Sequence, residues 1–165
     1  MYLDVTFFDQ HETDFGTENS TLAQSYIVAH EFGHHIQNQL GYLARVRQGD
    51  SGPSGSQVRS ELQADCLAGA WLNNASTTVD PESGETFLRP ITREQLDSAV
   101  SAAAAVGDDH IMENAGVSVN QERFTHGSAE QRMNWLIIHI HAQIDLCGRD
   151  IRMSQHFLYA SDICS

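Results

Sequence analysis

Apolar positions recur at helical spacing along much of the chain. Between residues 21 and 41 the recurring positions are Leu22, Tyr26, Ala29, Gly33, Ile36 and Leu40. Gly41 is a natural stop for this helix. A second helix is predicted over residues 58–75, where the apolar positions are Leu62, Cys66, Gly69, Ala70 and Leu72. The turn-rich stretch "QGDSGPSGSQ", residues 48–57, lies between them and predicts a flexible loop.

Capping signals predict two more helices. "TREQ" from Thr92 has the pattern of a capping box that opens an Ala-rich helix ending near Gly107. "SAEQ" from Ser128 has the same pattern and opens a helix that carries Trp135, Ile138 and Ala142. Residues 2–8, "YLDVTFF", are β-branched and aromatic and predict a strand. The expected fold class is therefore α+β, predominantly helical, with a small sheet.

The composition is that of one globular domain, which we expect to span residues 1–165. The chain has 165 residues, of which 41% are hydrophobic, enough for a single core. A net charge of -13, with nine Lys and Arg, argues against nucleic acid as a partner and against docking on an anionic membrane. No stretch approaches the roughly 18 apolar residues of a membrane span. The three cysteines are too few for a disulfide scaffold, and their pairing stays open.

The segment "HEFGHH", residues 30–35, carries the candidate chemistry. Residues four apart lie on one face of a helix, so His30 and His34 can both present a ring nitrogen to one metal ion. Glu31 lies about 100° around the helix, where it can act as base toward a metal-bound water. A catalytic zinc takes three protein ligands and keeps one position open. The motif therefore needs a third ligand.

The second predicted helix offers that ligand. A metzincin would have Gly at 37 and His at 40, where this chain has Gln37 and Leu40. The second helix instead carries "ELQAD", residues 61–65, in which Glu61 and Asp65 share one face. If the two helices lie side by side, Glu61 completes a His, His, Glu site for Zn²⁺. Asp65 can then accept the other ring N–H of a ligating histidine and fix its tautomer.

Five stretches of the sequence, in order, resemble successive blocks of the bacterial "putative neutral zinc metallopeptidase" family. They cover residue 2 to about residue 135 and read "YLDVTFF", "SYIVAHEFGHHIQNQLG", "ELQADCLAGAW", "AAAAVGDD" and "FTHGSAEQRMNW". The resemblance implies a zincin-like metallopeptidase fold of the gluzincin type, with the HExxH helix packed against the ExxxD helix. It also implies zinc ligands at His30, His34 and Glu61, a general base at Glu31, and a peptide or protein substrate.

The same resemblance implies parts that this chain does not carry. Family members have an N-terminal membrane anchor and a further upstream segment, with the domain outside the cytoplasm. We therefore expect the chain to be an N-terminally truncated piece that is soluble as given. Residues 136–165 do not match the family's usual ending and are expected to form a divergent tail.

The "FTHG" block suggests a second functional residue. His126 lies just before the predicted helix start at Ser128, where a loop could aim its ring into the cleft. Gluzincins use a His or Tyr donor to stabilise the developing oxyanion, and we interpret His126 as that donor. The alternative is a loop histidine that bonds only to backbone. Asp108 and Asp109 could orient His126 or simply end the Ala-rich helix.

The predicted function is a zinc-dependent peptidase in which Glu31 assists attack of a zinc-bound water on a peptide bond. Two alternatives stay open, namely a catalytically inactive, zinc-stabilised interaction domain and a damaged, truncated paralogue. Structural zinc sites normally have four protein ligands and are rich in Cys, whereas three good ligands are evident here. His35 and Gln37 are interpreted as packed or surface residues, and Cys66 as a core residue rather than a nucleophile.

Overall fold

The computed structural model describes residue 4, residues 6–15 and residues 20–141, and within these ranges it is predominantly helical. Its α-helices are α1 (Thr6–Phe15), α2 (Thr21–Gln39), α3 (Ser56–Thr77), α4 (Arg93–Ala105), α5 (Asp108–Asn114) and α6 (Ala129–His141). Two short 3₁₀ helices cover Leu43–Arg45 and Gln121–Arg123. None of these helices is both long and apolar enough to cross a membrane. The β pairing in these ranges is one isolated antiparallel bridge between Val79 and Thr86, so the predicted small sheet is not found there.

The strand predicted over residues 2–8 is wrong where the structure describes it, because residues 6–8 begin α1. The Asp4 carboxylate accepts hydrogen bonds from the backbone N–H of Thr6 at 3.0 Å and from its hydroxyl at 2.7 Å. Asp9 adds a second carboxylate in the first turn. Acidic groups at a helix start satisfy unpaired N–H groups and interact favourably with the helix dipole. Here the two carboxylates outweigh the β propensity of "VTFF". Residues 2, 3 and 5 lie outside the described residues.

The two central helices and the loop between them are confirmed. α2 begins after Ser20, whose hydroxyl accepts a hydrogen bond from the α2 backbone. Beyond its end, Gly41 has a φ of 73°, a left-handed conformation that favours glycine. α3 runs two residues further at each end than predicted. The helices approach closely at Gly33, where a Cβ atom would lie 3.2 Å from the Cα atom of Ala64.

Both predicted capping boxes are present. Thr92 and Gln95 exchange side-chain and backbone hydrogen bonds at the start of α4. At the start of α6, the Gln131 N–H donates to the Ser128 hydroxyl at 3.1 Å and the Ser128 N–H donates to Gln131 Oε1 at 3.0 Å. α5 was not predicted, because the sequence analysis ends the Ala-rich helix near Gly107 and leaves Asp108 and Asp109 either to orient His126 or to end that helix. These acidic residues instead begin a helix of their own.

The main core lies between α2, α3, α4 and α6. Small side chains on α4 allow close helix packing there, and the cluster consists of Leu22, Ala23, Tyr26, Ala68, Leu72, Ala99, Ala102, Ala103, Leu136 and Ile140. A smaller cluster joins Val58 and Leu62 of α3 to Phe124. The second cluster holds the loop that follows Phe124 against the start of α3.

The buried faces of α2 and α6 differ from the predicted apolar stripes. Leu40 is 58% exposed, whereas the polar side chains of His30 and Gln37 are buried in α2. On α6 the predicted Ile138 is 39% exposed and Arg132 is buried. Ala142 lies outside the described residues. The core side of each helix thus contains polar residues that the apolar pattern did not mark, and these residues surround the candidate site.

Candidate metal centre

Three ionisable side chains from α2 and α3 converge at the face between the two helices. His30 and His34 lie one turn apart on α2, and Glu61 lies opposite them on α3. The Nε2 atom of His30 is 3.2 Å from Glu61 Oε2, and the Nε2 atom of His34 is 3.4 Å from Glu61 Oε1. One ligand atom from each residue lies within 4.8 Å of the others, so the group could hold a metal ion. Among the residues whose side chains the structure describes, no fourth His, Cys, Asp or Glu joins the group.

The spacing and chemistry of these atoms fit zinc. Two ligand atoms that each lie about 2.1 Å from one ion, at a tetrahedral angle, are about 3.4 Å apart. The two histidine–glutamate separations, 3.2 and 3.4 Å, are of this size. Imidazole nitrogen and carboxylate oxygen are also donors that zinc accepts. The sequence prediction that Glu61 lies beside the two histidines is therefore compatible with the geometry.

The three side chains depend on one another for their charge. Burial lowers the pKa of His30, but hydrogen bonds with Asp65 and Glu61 outweigh burial and raise it to about 9. Burial also opposes the charged form of His34, and its contacts with Glu61 raise that pKa above the ordinary value. Burial raises the pKa of Glu61, yet the two rings hold it well below its usual range. Protons are thus shared among these groups, and a bound cation would displace them.

A buried ionic cluster lies behind His30. The Asp65 Oδ1 atom is 2.8 Å from His30 Nδ1 and accepts a hydrogen bond from the Tyr26 hydroxyl at 2.6 Å. Arg132 of α6 donates from Nε to Asp65 Oδ2 and from Nη2 to Asp65 Oδ1, both at 2.9 Å. Burial raises the pKa of Asp65, but the charge of Arg132 and the hydrogen bonds with His30 and Arg132 together outweigh burial and hold that pKa below the ordinary value. Asp65 is thereby kept ionised at the Nδ1 side of His30, the position expected for it.

A neutral side chain lies behind His34. Gln37 Oε1 is 2.8 Å from His34 Nδ1, and Gln37 Nε2 donates to the Ser60 carbonyl oxygen at 2.7 Å. The same Nε2 atom also donates to Gln63 Oε1 at 2.9 Å. Gln37 is 0% exposed, so its amide has no access to bulk water. The sequence analysis interpreted Gln37 as a packed or surface residue. Gln37 is packed, but that interpretation did not include its hydrogen bond with His34.

Sequence reasoning missed Arg132, Tyr26 and the contact made by Gln37. For two of them the signal is helical spacing from buried residues. Gln37 shares the buried face of α2 with Tyr26 and Gly33. Arg132 precedes the buried Leu136 by four residues. A polar residue in line with buried ones needs a buried partner. The identity of that partner is not local, because Arg132 and Asp65 are 67 residues apart.

Three more residues that the sequence singled out lie on α2 and α3, and they differ in exposure. Glu31 is exposed beside His30. His35 is exposed too, and its ring centroid lies 5.4 Å from that of Phe32. Cys66 is fully buried and disulfide-bonded. This agrees with its interpretation as a core residue, because a nucleophile needs a free, accessible thiol.

Asp108 anchors the loop that carries His126. Its Oδ2 atom accepts three backbone N–H hydrogen bonds, from Thr125 at 2.6 Å, His126 at 2.7 Å and Gly127 at 3.0 Å. Its Oδ1 atom lies 3.1 Å from His126 Nδ1. Asp109 instead accepts from the Ala129 N–H at 2.8 Å and so holds the start of α6. Of the two carboxylates, Asp108 is therefore the one that contacts His126.

The loop places His126 close to the third candidate ligand. Gly127, with a φ of 94°, packs on α3, where a Cβ atom would lie 3.1 Å from Val58 Cγ1 and 3.5 Å from Leu62 Cδ2. These two residues flank Glu61 on α3. The hydrogen bond to Asp108 raises the pKa of His126 despite partial burial, and the charge of Glu61 raises it further. The side chain of His126 is 49% exposed and therefore open to a ligand.

Comparison with known proteins adds a family to this geometry. Residues 1–147 match the family model described as "Putative neutral zinc metallopeptidase". The chain is 47% identical to "Uncharacterized protein Rv2575" of Mycobacterium tuberculosis over 137 residues, which are 83% of this chain and 47% of that protein. It is 35% identical to "Uncharacterized protein YpfJ" of Escherichia coli K12 over 140 residues, 82% of this chain and 45% of that protein. The chain thus spans less than half the length of these relatives, and no solved structure matches it significantly.

Proposed function

The chain belongs to the "putative neutral zinc metallopeptidase" family, and we propose that it is a zinc-dependent peptidase of the gluzincin type that hydrolyses peptide bonds. The convergence of His30, His34 and Glu61 is the observation that carries this proposal. These three side chains would hold Zn²⁺. Three protein ligands leave a coordination position for substrate, as in catalytic zinc sites, whereas structural zinc sites are normally closed by four.

Glu31 is the proposed general base. Zinc bound by the three ligands supplies Lewis acidity, which polarises a carbonyl and lowers the pKa of water. The Glu31 carboxylate would take a proton from the attacking water and pass it to the amine of the leaving peptide. Its exposure and its place beside His30 support this role, because a base must reach both water and substrate.

His126 is the proposed donor to the developing oxyanion. Its Nδ1 atom is engaged by the Asp108 carboxylate, which leaves Nε2 to face a substrate. The hydrogen bond with Asp108 raises the pKa of His126, and a protonated ring carries on Nε2 a hydrogen that it can donate. Asp108 would then orient His126, and Asp109 would support the same loop through its hydrogen bond to α6.

Zinc content and peptide hydrolysis together test this function. We expect about one zinc per chain by elemental analysis of the parent, a marked loss in Glu61→Ala, and no loss in Glu130→Ala, which alters an exposed glutamate. Glu31→Gln should keep its zinc and lose hydrolysis of a peptide library. A folded parent without zinc would contradict the zinc site, and Glu31→Gln activity equal to the parent's would contradict the base. Zinc without any hydrolysis would favour a zinc-stabilised interaction domain instead.

A further inference from the structure

We propose that Gln37 is a positioning residue that holds His34 in the tautomer with a free lone pair on Nε2, the atom directed at Glu61. The inference rests on the proposed zinc site, because it assigns a role toward one of its ligands. Gln37 does not itself belong to the three converging groups. It acts from the opposite side of the His34 ring, through Nδ1.

The direction of the Gln37 amide follows from its partners. The Ser60 carbonyl oxygen can only accept a hydrogen bond, and it lies 2.7 Å from one end of the amide. That end must be the NH₂ group, because a flipped amide would bring two oxygen atoms together. The second hydrogen of the same group goes to Gln63 Oε1. The amide oxygen is therefore the atom that faces His34.

The tautomer of His34 follows in turn. An amide oxygen accepts and cannot donate, so the His34 nitrogen 2.8 Å away must carry the hydrogen. In a neutral imidazole one nitrogen carries the hydrogen and the other keeps the lone pair. Gln37 thus favours the tautomer with its lone pair on Nε2, which lies 3.4 Å from Glu61 and is the atom that would bind zinc. The opposite tautomer would set two lone pairs against each other beside the Gln37 amide, which is fully buried.

Two substitutions at residue 37 separate positioning from packing. Gln37→Met keeps the length of the side chain but removes the acceptor for His34 together with the donors to Ser60 and Gln63, and we expect it to weaken zinc binding roughly 10- to 100-fold. Gln37→Glu keeps an oxygen for His34 but sets a buried carboxylate against the Ser60 carbonyl. It should be the less stable variant and yet bind zinc more tightly than Gln37→Met. Gln39→Met, at an exposed position of the same helix, is the matched control and should bind zinc as the parent does.

The measurement is zinc affinity by competition with a chromophoric chelator, beside thermal unfolding of the metal-free variants. A purely structural role predicts that affinity follows stability, with Gln37→Glu the weakest binder. That order, or a Gln37→Met affinity equal to the parent's, would overturn the proposal.

A second measurement needs no zinc. Long-range ¹H–¹⁵N spectra of metal-free Glu61→Ala, which removes the carboxylate that competes for a hydrogen on Nε2, should show the His34 hydrogen on Nδ1 at an alkaline pH where the ring is neutral. A hydrogen on Nε2 would overturn the proposal even if the parent binds zinc. Conversely, a parent that binds no zinc would contradict the proposed function, and the spectra would still decide the tautomer.

Discussion

The two histidines of the candidate site are held by different chemistry. Behind His30 lies a charged cluster, in which Asp65 is 0% exposed and Arg132 is 3% exposed. Behind His34 lies an uncharged amide, Gln37, from one turn along the same helix. The first cluster joins α2, α3 and α6, whereas the second joins α2 to α3 alone.

This difference separates two tasks of the same site. The partners of His30 are 35 and 102 residues away, so they come together only when three helices pack. The partner of His34 is three residues away and is present as soon as α2 forms. We therefore expect changes behind His30 to affect both folding and zinc binding. Changes behind His34 should affect zinc binding and cost less stability, because they remove neutral hydrogen bonds and no buried ion pair.

The largest expected effect is that of Arg132→Met. It leaves the Asp65 carboxylate buried without its cation, and removal of one partner of a buried ion pair costs about 3–5 kcal/mol of stability. The measurement is the free energy of unfolding by urea denaturation of the metal-free protein. Arg123→Met changes an exposed arginine and should stay within about 0.5 kcal/mol of the parent. Equal effects of the two substitutions would show that the buried cluster does not stabilise the fold.

Asp65→Asn is expected to have a smaller effect on stability, because the Asn oxygen can still accept a hydrogen bond from Arg132. It removes the charge at the Nδ1 side of His30, and loss of such a partner weakens metal binding about 10- to 100-fold. Zinc titration and urea denaturation of the same samples should both change. For Gln37→Met, by contrast, most of the change should appear in the zinc titration. If both variants changed the two measurements in the same proportion, the distinction between the histidines would fail.

Asp108 and His126 form a third pair, with a carboxylate as at His30 but a half-exposed ring. Burial raises the pKa of Asp108, but hydrogen bonds from His126 and three backbone N–H groups hold it below the ordinary value. Such a carboxyl stabilises the fold above its unfolded pKa of about 4, and that stabilisation is lost as the pH falls through the folded value. Asp108→Asn should therefore be less stable than the parent at neutral pH, by about 2 kcal/mol.

The pH dependence distinguishes this effect from a change in packing. The unfolding free energies of Asp108→Asn and the parent should converge as the pH is lowered below about 4, measured by circular dichroism during urea titration. Asp97→Asn, at an exposed position of α4, is the control and should follow the parent at every pH. A constant gap between Asp108→Asn and the parent across the acid range would contradict the ionic role.

Local signals explain what could be predicted from the sequence. The four-residue spacings of His30 with His34 and of Glu61 with Asp65 depend only on helix geometry, and the two capping boxes depend on four residues each. The proximity of Glu61 to the histidines required one further assumption, that the loop at residues 48–57 lets α3 lie beside α2. This assumption agrees with the close approach of Gly33 to Ala64.

The errors arise where local preference competes with capping or where partners are distant in sequence. Residues 6–8 favour a strand by composition, but the Asp4 carboxylate stabilises a helix start. Arg132 was not singled out from the sequence, because nothing near it in sequence marks its contact with Asp65. Polar residues on a buried helix face were the available signal, and both Gln37 and Arg132 show it.

Tyr26→Phe gives the smallest expected effect. It tests how much of the stabilisation of Asp65 comes from the Tyr26 hydroxyl and how much from the ion pair with Arg132. The Tyr26 hydroxyl donates to Asp65 and accepts from Arg132 at 3.2 Å, but these two groups also bond each other directly. Loss of the hydroxyl therefore leaves the ion pair in place and should cost about 1 kcal/mol of unfolding free energy. Tyr42→Phe, outside the cluster, is the control. If Tyr26→Phe were as damaging as Arg132→Met, Asp65 would depend on the whole hydrogen-bonded cluster rather than on its cation, and His30 would be held by cooperation among all four residues.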